Sequence, residues 1–263
     1  MAQPIKSALS TPAILAPATL QSEASLRETP FRRQHPSTSS LLILGVCSDG
    51  LPYMLDLAKP EAGSILVVGD PSCGKTSLLQ AVLGSAAQLN PVSSLQFVVI
   101  SSDHVSWSHF IRRREIRPYS LGLYHPFEQD AGRLLLDLAD LAAYRCAGRD
   151  WAGRLETILI IIDELTPLTA QDFEVQTAIH SLFDQGPQAR IWPIVSLKTE
   201  DALALPFWTI PFRTRILGRI TDRRSASRLA LNPAVGLENL RPGEQFQIWF
   251  NNDWTDVWIL PVE

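Results

Sequence analysis

Eight consecutive residues, Gly69-Asp70-Pro71-Ser72-Cys73-Gly74-Lys75-Thr76, satisfy the pattern G-x-x-x-x-G-K-[ST] at every position. Each residue type has a physical reason to be there. The glycines let the backbone curl so that successive N–H groups point inward at phosphate oxygens. A helix starting near Gly74 adds the positive end of its dipole. The Lys75 ammonium reaches β- and γ-phosphates, and the Thr76 hydroxyl is a ligand for Mg²⁺. The predicted nucleotide-binding residues run from Gly69 to Ser77. Asp70 is the odd member, because a carboxylate beside bound phosphate weakens affinity unless it points away. The competing reading, a Gly-rich turn, is disfavoured by the buried strand before the loop and the amphipathic helix after it.

A second acidic feature lies downstream. The apolar run Thr157 to Ile162 ends in Asp163-Glu164. Carboxylates at the tip of an apolar strand are badly placed unless they face a site at the sheet's C-terminal edge, where the phosphate loop also opens. Asp163 is expected to hold the Mg²⁺ shell, and Glu164 to act as general base on the attacking water. Capping of a strand end is the competing reading. The pair also selects a nucleotide. A Ras-type GTPase needs D-x-x-G here, whereas this chain reads Asp163-Glu164-Leu165-Thr166. For the guanine-reading N-K-x-D the nearest segment is Leu197-Lys198-Thr199-Glu200, in which leucine supplies no amide. ATP is therefore the expected cofactor. Adjacent acids suit a motor ATPase better than a small-molecule kinase, a reading that stays open.

These groups need a sheet to carry them. Leu41–Val46 and Leu51–Leu57 read as strands around the turn Ser48-Asp49-Gly50. Ser64–Val68, Leu95–Ile100, Thr157–Ile162, Ile191–Leu197 and Arg215–Ile220 read as core strands. Helices are expected over Gly74–Leu89, Asp130–Ala147, Gln171–Phe183 and Thr221–Leu231. Gln245–Phe250 and Thr255–Leu260 form a closing hairpin around Asn251-Asn252-Asp253. Strands alternating with helices predict an α/β fold, RecA-like, with a mostly parallel sheet flanked by helices, an N-terminal strand pair and a C-terminal hairpin. Residues 1–39, rich in Ala, Ser, Pro and Thr, read as a flexible tail ahead of one domain over 40–263. That tail is a candidate site for a protein partner.

Composition narrows the class. With 46% hydrophobic residues among 263, the chain can bury a large core, and its net charge of −4 confines any DNA contact to local patches. Cys47, Cys73 and Cys146 have no metal-binding spacing, which fits a reduced, cytoplasmic protein. No apolar run reaches the roughly 18 residues of a transmembrane segment, and Pro12 and Pro17 break the only stretch that resembles a signal peptide.

The order of features resembles the FtsK/SpoIIIE branch of the FtsK–HerA motor ATPases. The likeness is carried by Leu44-Gly45 through Asp49-Gly50-Leu51-Pro52 and Leu55-Asp56-Leu57, and by Ser64 to Gly69 with the loop that follows. It continues in Ile158 to Leu165 with its Asp-Glu, in Ile210-Pro211-Phe212-Arg213-Thr214-Arg215-Ile216 with Arg219-Ile220-Thr221-Asp222, and in Leu240 to Gln247 with Pro242-Gly243-Glu244. It covers about residues 41 to 260. The resemblance implies a RecA-like motor core, a homo-oligomeric ring (commonly a hexamer) and ATP-driven movement of double-stranded DNA; a related branch drives type VII protein secretion. It also implies an arginine finger, for which Arg215 and Arg219 match by position. One departure stands out: where the family has a sensor glutamine after the Asp-Glu strand, this chain has Lys198. A cation there would sense the γ-phosphate by charge.

Two arginine clusters bear on the moved substrate. Arg213, Arg215, Arg219, Arg223, Arg224 and Arg228 fall within sixteen residues that hold one acid, Asp222, and Arg112, Arg113 and Arg114 form a second cluster in what reads as an irregular stretch. Arg112, Arg113, Arg114, Arg223 and Arg224 are the candidate DNA contacts; solvated faces or subunit contacts serve as well. Trp107 and Phe110, beside the second cluster, are placed to pack beneath it or to stack on a ligand, with core packing the favoured reading. Three functions follow: a DNA-translocating ATPase, a protein-secretion motor, or a nucleotide-binding regulatory module with little hydrolysis. Intact Lys75, Thr76, Asp163 and Glu164 weigh against the last.

Overall fold

The turn at Asp49-Gly50 joins β1 (Leu41–Cys47) to β2 (Pro52–Asp56), as its Asp-Gly pair predicts. β3 (Ile65–Gly69) feeds the phosphate loop, and α1 (Lys75–Leu89) leaves it. β4 (Leu95–Ser101) is followed by α2 (His104–Ile111), the edge strand β5 (Ser120–Tyr124) and α3 (Gln129–Ala147). β6 (Thr157–Asp163) carries the acids, and α4 (Phe173–Gln185) leads back to β7 (Ile191–Lys198). The short helices α5 (Thr199–Ala204) and α6 (Pro206–Thr209), β8 (Thr214–Leu217) and α7 (Arg223–Ala230) precede the hairpin of β9 (Gln245–Phe250) and β10 (Asp253–Trp258). This is a computed structural model that describes residues 40–148, 156–230 and 236–259; the predicted tail over 1–39 lies outside the described residues.

The strands form one sheet in the order β2-β1-β10-β9-β8-β3-β7-β6-β4-β5. From β8 to β5 every pairing is parallel, and from β9 to β2 every pairing is antiparallel. The predicted fold class is thus the observed one. The C-terminal hairpin closes on Asn251 and Asn252, both at positive φ (52° and 63°), the backbone that a two-residue I′ turn needs.

β6 is buried at all seven positions because helices cover both faces of the parallel block. On one face Leu66, Val68, Ile160 and Ile162 pack against α3, α4 and α7. On the other, Ile65, Val67, Leu159 and Ile161 pack against Leu78, Leu79, Val82 and Leu83 of α1 and Trp107 and Phe110 of α2. Side chains alternate along a strand, so Asp163 falls on the face of Ile161, beneath α1 and α2.

Three expectations need correction. Between β4 and the arginines lies a helix that the sequence reading lacks: α2 occupies His104–Ile111, capped by the Asp103 carboxylate, which accepts from the Ser106 N–H at 3.0 Å, while Arg112–Arg114 follow it in turn and bend, irregular as expected. The edge strand β5 was hidden by its Gly and its weak alternation. β8 stops at Leu217, short of the predicted Ile220, because the chain leaves the sheet there to wrap the phosphate loop: the Asp70 N–H donates to the Arg219 carbonyl at 3.0 Å.

Candidate nucleotide-binding and catalytic site

The glycines of the loop are sterically required. Gly74 sits at φ +94°, and a Cβ there would fall 2.5 Å from the Gly243 Cα; the Gly243 N–H donates to the Cys73 carbonyl at 2.9 Å. The turn Arg241-Pro242-Gly243-Glu244 therefore docks on the phosphate loop. A Cβ at Gly69 would meet the Cys73 sulfur at 2.5 Å. Cys73 points into the protein and is buried, and burial raises its thiol pKa above the ordinary value. Lys75 Nζ donates to the carbonyls of Gly69 (2.8 Å) and Asp70 (3.0 Å), so its ammonium lies over the loop.

Asp70 is a strap. Its Oδ1 accepts from the Thr199 hydroxyl at 2.6 Å, at the start of α5, and its Oδ2 accepts from the Thr221 N–H at 2.7 Å, beyond β8. Burial alone would raise its pKa; the bonds from Thr199 and Thr221 and the charge of Lys75 outweigh this and hold it below the ordinary carboxylate value. The carboxylate thus binds the segments flanking the loop.

β7 lies between the loop strand β3 and the acid strand β6. The acids are thus not on the strand adjacent to the loop, and the gap of about 10 Å is two strand spacings. Thr76, in the first turn of α1, spans it: its hydroxyl donates to Asp163 Oδ2 at 2.8 Å. Ser196 of β7 fixes the other side, donating to Asp163 Oδ1 at 2.9 Å and accepting from the Glu164 N–H at 2.9 Å. The Trp107 indole N–H donates to Asp163 Oδ2 at 2.9 Å. Sequence reasoning missed Ser196 and favoured core packing for Trp107, with no hydrogen-bonding role. A polar residue two before Lys198 in an apolar strand was the signal for the first; the second had none.

Glu164 adopts φ +80°, an uncommon backbone for a non-glycine residue and one that clusters at functional sites. Its Oε1 forms an ion pair with Lys198 Nζ, at the tip of β7. The hydrogen bond to Glu164 is the main reason that the Lys198 pKa is raised. The predicted base and the predicted sensor thus touch directly.

The donor set suits magnesium. Thr76 and Asp163 offer oxygen only, and among the described residues no cluster of three or more His, Cys, Asp or Glu could hold a metal by itself. Mg²⁺ retains waters and takes phosphate oxygens, so one carboxylate and one hydroxyl beside a phosphate cradle fit it.

The arginines separate. Arg215 lies against its own domain: Nη2 donates to the Thr209 carbonyl at 3.3 Å and the guanidinium stands 5.9 Å from the Trp249 ring, with burial lowering its pKa. Arg219 follows β8 beside the loop, and its buried Nε has no hydrogen-bond partner. Arg223 pairs with Glu238 at 2.8 Å, and Arg224 is exposed. Arg112 and Arg114 are exposed at the end of α2, and the Arg113 guanidinium lies 5.5 Å from the Phe110 ring. One cluster follows α2, which leaves β4, and the other begins at the start of β8, a strand four places from β4 in the sheet.

No protein-family model matches the sequence, and no curated protein matches it. Solved structures do. The pCW3 conjugation coupling protein TcpA, solved in monomer form with ATPγS, is 15% identical at TM-score 0.68, over 89% of this chain and 69% of that one. The cytoplasmic domain of the Thermomonospora curvata type VII secretion ATPase EccC is 16% identical at TM-score 0.66, over 94% of this chain and 32% of that one. B204, the DNA-packaging ATPase from Sulfolobus Turreted Icosahedral Virus, is 14% identical at TM-score 0.52, over 78% of this chain and all of that one. This chain thus spans about a third of the EccC cytoplasmic domain and about two thirds of the TcpA chain. At these identities the likeness shows the fold, a RecA-like P-loop ATPase fold of the kind that the FtsK–HerA resemblance implied. No helix among the described residues is long and apolar enough to cross a membrane.

Proposed function

We propose that this chain is a Mg²⁺-dependent ATP-hydrolysing motor domain of the FtsK–HerA kind, working as a homo-oligomeric ring on double-stranded DNA. The observation that carries the reading is the Thr76–Asp163 hydrogen bond, which joins the phosphate cradle to the acid strand across β7. Mg²⁺, held by Thr76 and through water by Asp163, would neutralise the charge on the transferred phosphoryl group. Residues Gly69 to Ser77 cradle the phosphates, and Lys75 leaves the loop carbonyls for phosphate oxygens. Glu164 orients the attacking water and accepts its proton. Lys198, paired with Glu164, senses the γ-phosphate by charge. Arg219 is the better arginine-finger candidate, since the Arg215 guanidinium is engaged within its own subunit.

DNA as the moved substrate is supported by the exposed Arg112 and Arg114 at the end of α2 and by Arg224 on α7, cations in an otherwise acidic chain. Protein secretion is the second reading, favoured by the likeness to EccC over 94% of this chain. The test is steady-state ATPase activity with Mg²⁺ or EDTA, with and without double-stranded DNA, on material of measured oligomeric state. Magnesium-dependent turnover that DNA stimulates, with the stimulation fading as salt rises, is the expected result. Turnover that ignores DNA at low salt removes the translocase reading; no turnover from a ring-forming sample removes the motor.

A further inference from the structure

We infer that Trp107 is a positioning residue for the metal-binding carboxylate: its indole N–H fixes which oxygen of Asp163 is left for the magnesium shell. The inference rests on the reading of Asp163 as the carboxylate beside Mg²⁺. Trp107 and Asp163 are both buried, and they meet at 2.9 Å. Burial alone does not produce such a bond in this protein, since Trp192 is equally buried and its Nε1 has no hydrogen-bond partner.

A carboxylate has about four acceptor sites, two on each oxygen. Oδ2 of Asp163 takes the Thr76 hydroxyl and the Trp107 indole, and Oδ1 takes the Ser196 hydroxyl. One site remains, on Oδ1, for a metal-bound water. Without the indole, Oδ2 regains a site and the carboxylate can turn. The ring itself is held firmly. It stands edge-on to Phe110, with centroids 5.8 Å apart at 87°, and Gln80 Nε2 of α1 donates to Ser106 Oγ of α2 at 3.2 Å, tying the two helices that bracket Asp163. Arg112–Arg114 follow directly on α2, so the turn that carries the predicted DNA contacts leaves the helix that carries the group orienting the metal ligand.

The test compares Trp107→Phe with Phe110→Leu, which disturbs the same packing and leaves the indole N–H in place. The readouts are melting temperature and the anisotropy of a fluorescent ATPγS in EDTA and across a Mg²⁺ titration. Trp107→Phe should leave nucleotide affinity in EDTA within about twofold of the parent and raise the half-saturating Mg²⁺ by about tenfold, the low end of what losing an orienting partner of a metal ligand costs. Phe110→Leu should melt earlier with its Mg²⁺ requirement unmoved. An unchanged requirement in Trp107→Phe overturns the inference, as does an equal shift in both variants. Asp163→Ala separates the two readings: if it keeps the parent's Mg²⁺ requirement, the assignment of Asp163 is wrong; if it loses Mg²⁺ dependence while Trp107→Phe does not, only the role of Trp107 is wrong. Should Trp107→Phe not fold, ¹⁵N-indole NMR of the unsubstituted protein reads the same bond. The Trp107 N–H resonance should move when Mg²⁺ joins the nucleotide, and a resonance indifferent to Mg²⁺ refutes the role.

Discussion

Replacing Asp70 with alanine removes two hydrogen bonds at once, one to the Thr199 hydroxyl and one to the Thr221 N–H. A hydrogen bond to a charged group contributes about 1.5–3 kcal/mol when well buried. Asp70 is only partly buried, so about 1 kcal/mol for each is the appropriate scale. Asp70→Ala should then cost about 2 kcal/mol, which lowers the melting temperature of a domain of this size by about 4–8 °C. Asp70→Asn should cost about half as much: its oxygen still accepts from the Thr221 N–H, and its amide N–H can donate to the Thr199 oxygen. The pH dependence has a definite sign. The folded pKa of Asp70 is lowered, so the advantage of Asp over Asn is present above the unfolded carboxylate value of about 4 and is lost as pH falls through the folded value. Thermal denaturation of the three proteins from pH 7 to pH 3 checks this. An alanine variant within about 0.3 kcal/mol of the parent would refute the strap, and so would an Asp–Asn gap that widens towards acid.

Glu164→Gln should bind ATP with little change and turn over about 10²–10⁴-fold more slowly, the usual contribution of a general base; equal single-turnover rates would remove Glu164 from that role. Lys198→Met breaks a partly exposed ion pair, so its stability should fall by less than about 1 kcal/mol, while the ratio of ATP to ADP affinity narrows. Calorimetric titration with both nucleotides checks this, and an unchanged ratio contradicts a γ-phosphate sensor. Gly74→Ala puts a Cβ 2.5 Å from the Gly243 Cα at a φ of +94°, so nucleotide binding should be lost even where the variant remains folded. The Cys73 thiol, buried and raised in pKa, should resist alkylation at pH 7 in the native state and react once denaturant is added, whereas Cys146 is exposed and reacts first. Mass spectrometry of iodoacetamide-treated protein gives the order.

Local chemistry made the cradle and the acids legible. A Gly-x-x-x-x-Gly-Lys-Thr run has few uses other than phosphate binding, and a Thr-Ile-Leu-Ile-Ile-Ile run ending in Asp-Glu declares a strand buried on both faces with its tip in a site. The same periodicities gave β3, α1, β4, α3, β6 and β7 nearly to the residue. α2 was overlooked because His104–Ile111 is short and serine-rich, although Asp103 three residues before Ser106 is a capping signal that could have found it. Asp70 looked like an electrostatic blemish because its partners lie 129 and 151 residues away.

The sequence by itself determined which groups exist, in what chain order, and on which strand tips, because motif spacing and hydrophobic period are properties of neighbours in the chain. Only the tertiary structure decided which groups meet. The insertion of β7 between β3 and β6 brings Ser196 and Lys198 to the acids, the side-chain alternation of β6 turns Asp163 under α1 and α2, and the packing of α2 delivers an indole N–H to that carboxylate. Each contact depends on strand order and helix docking, which are set by the burial of the whole core and not by spacing along the chain.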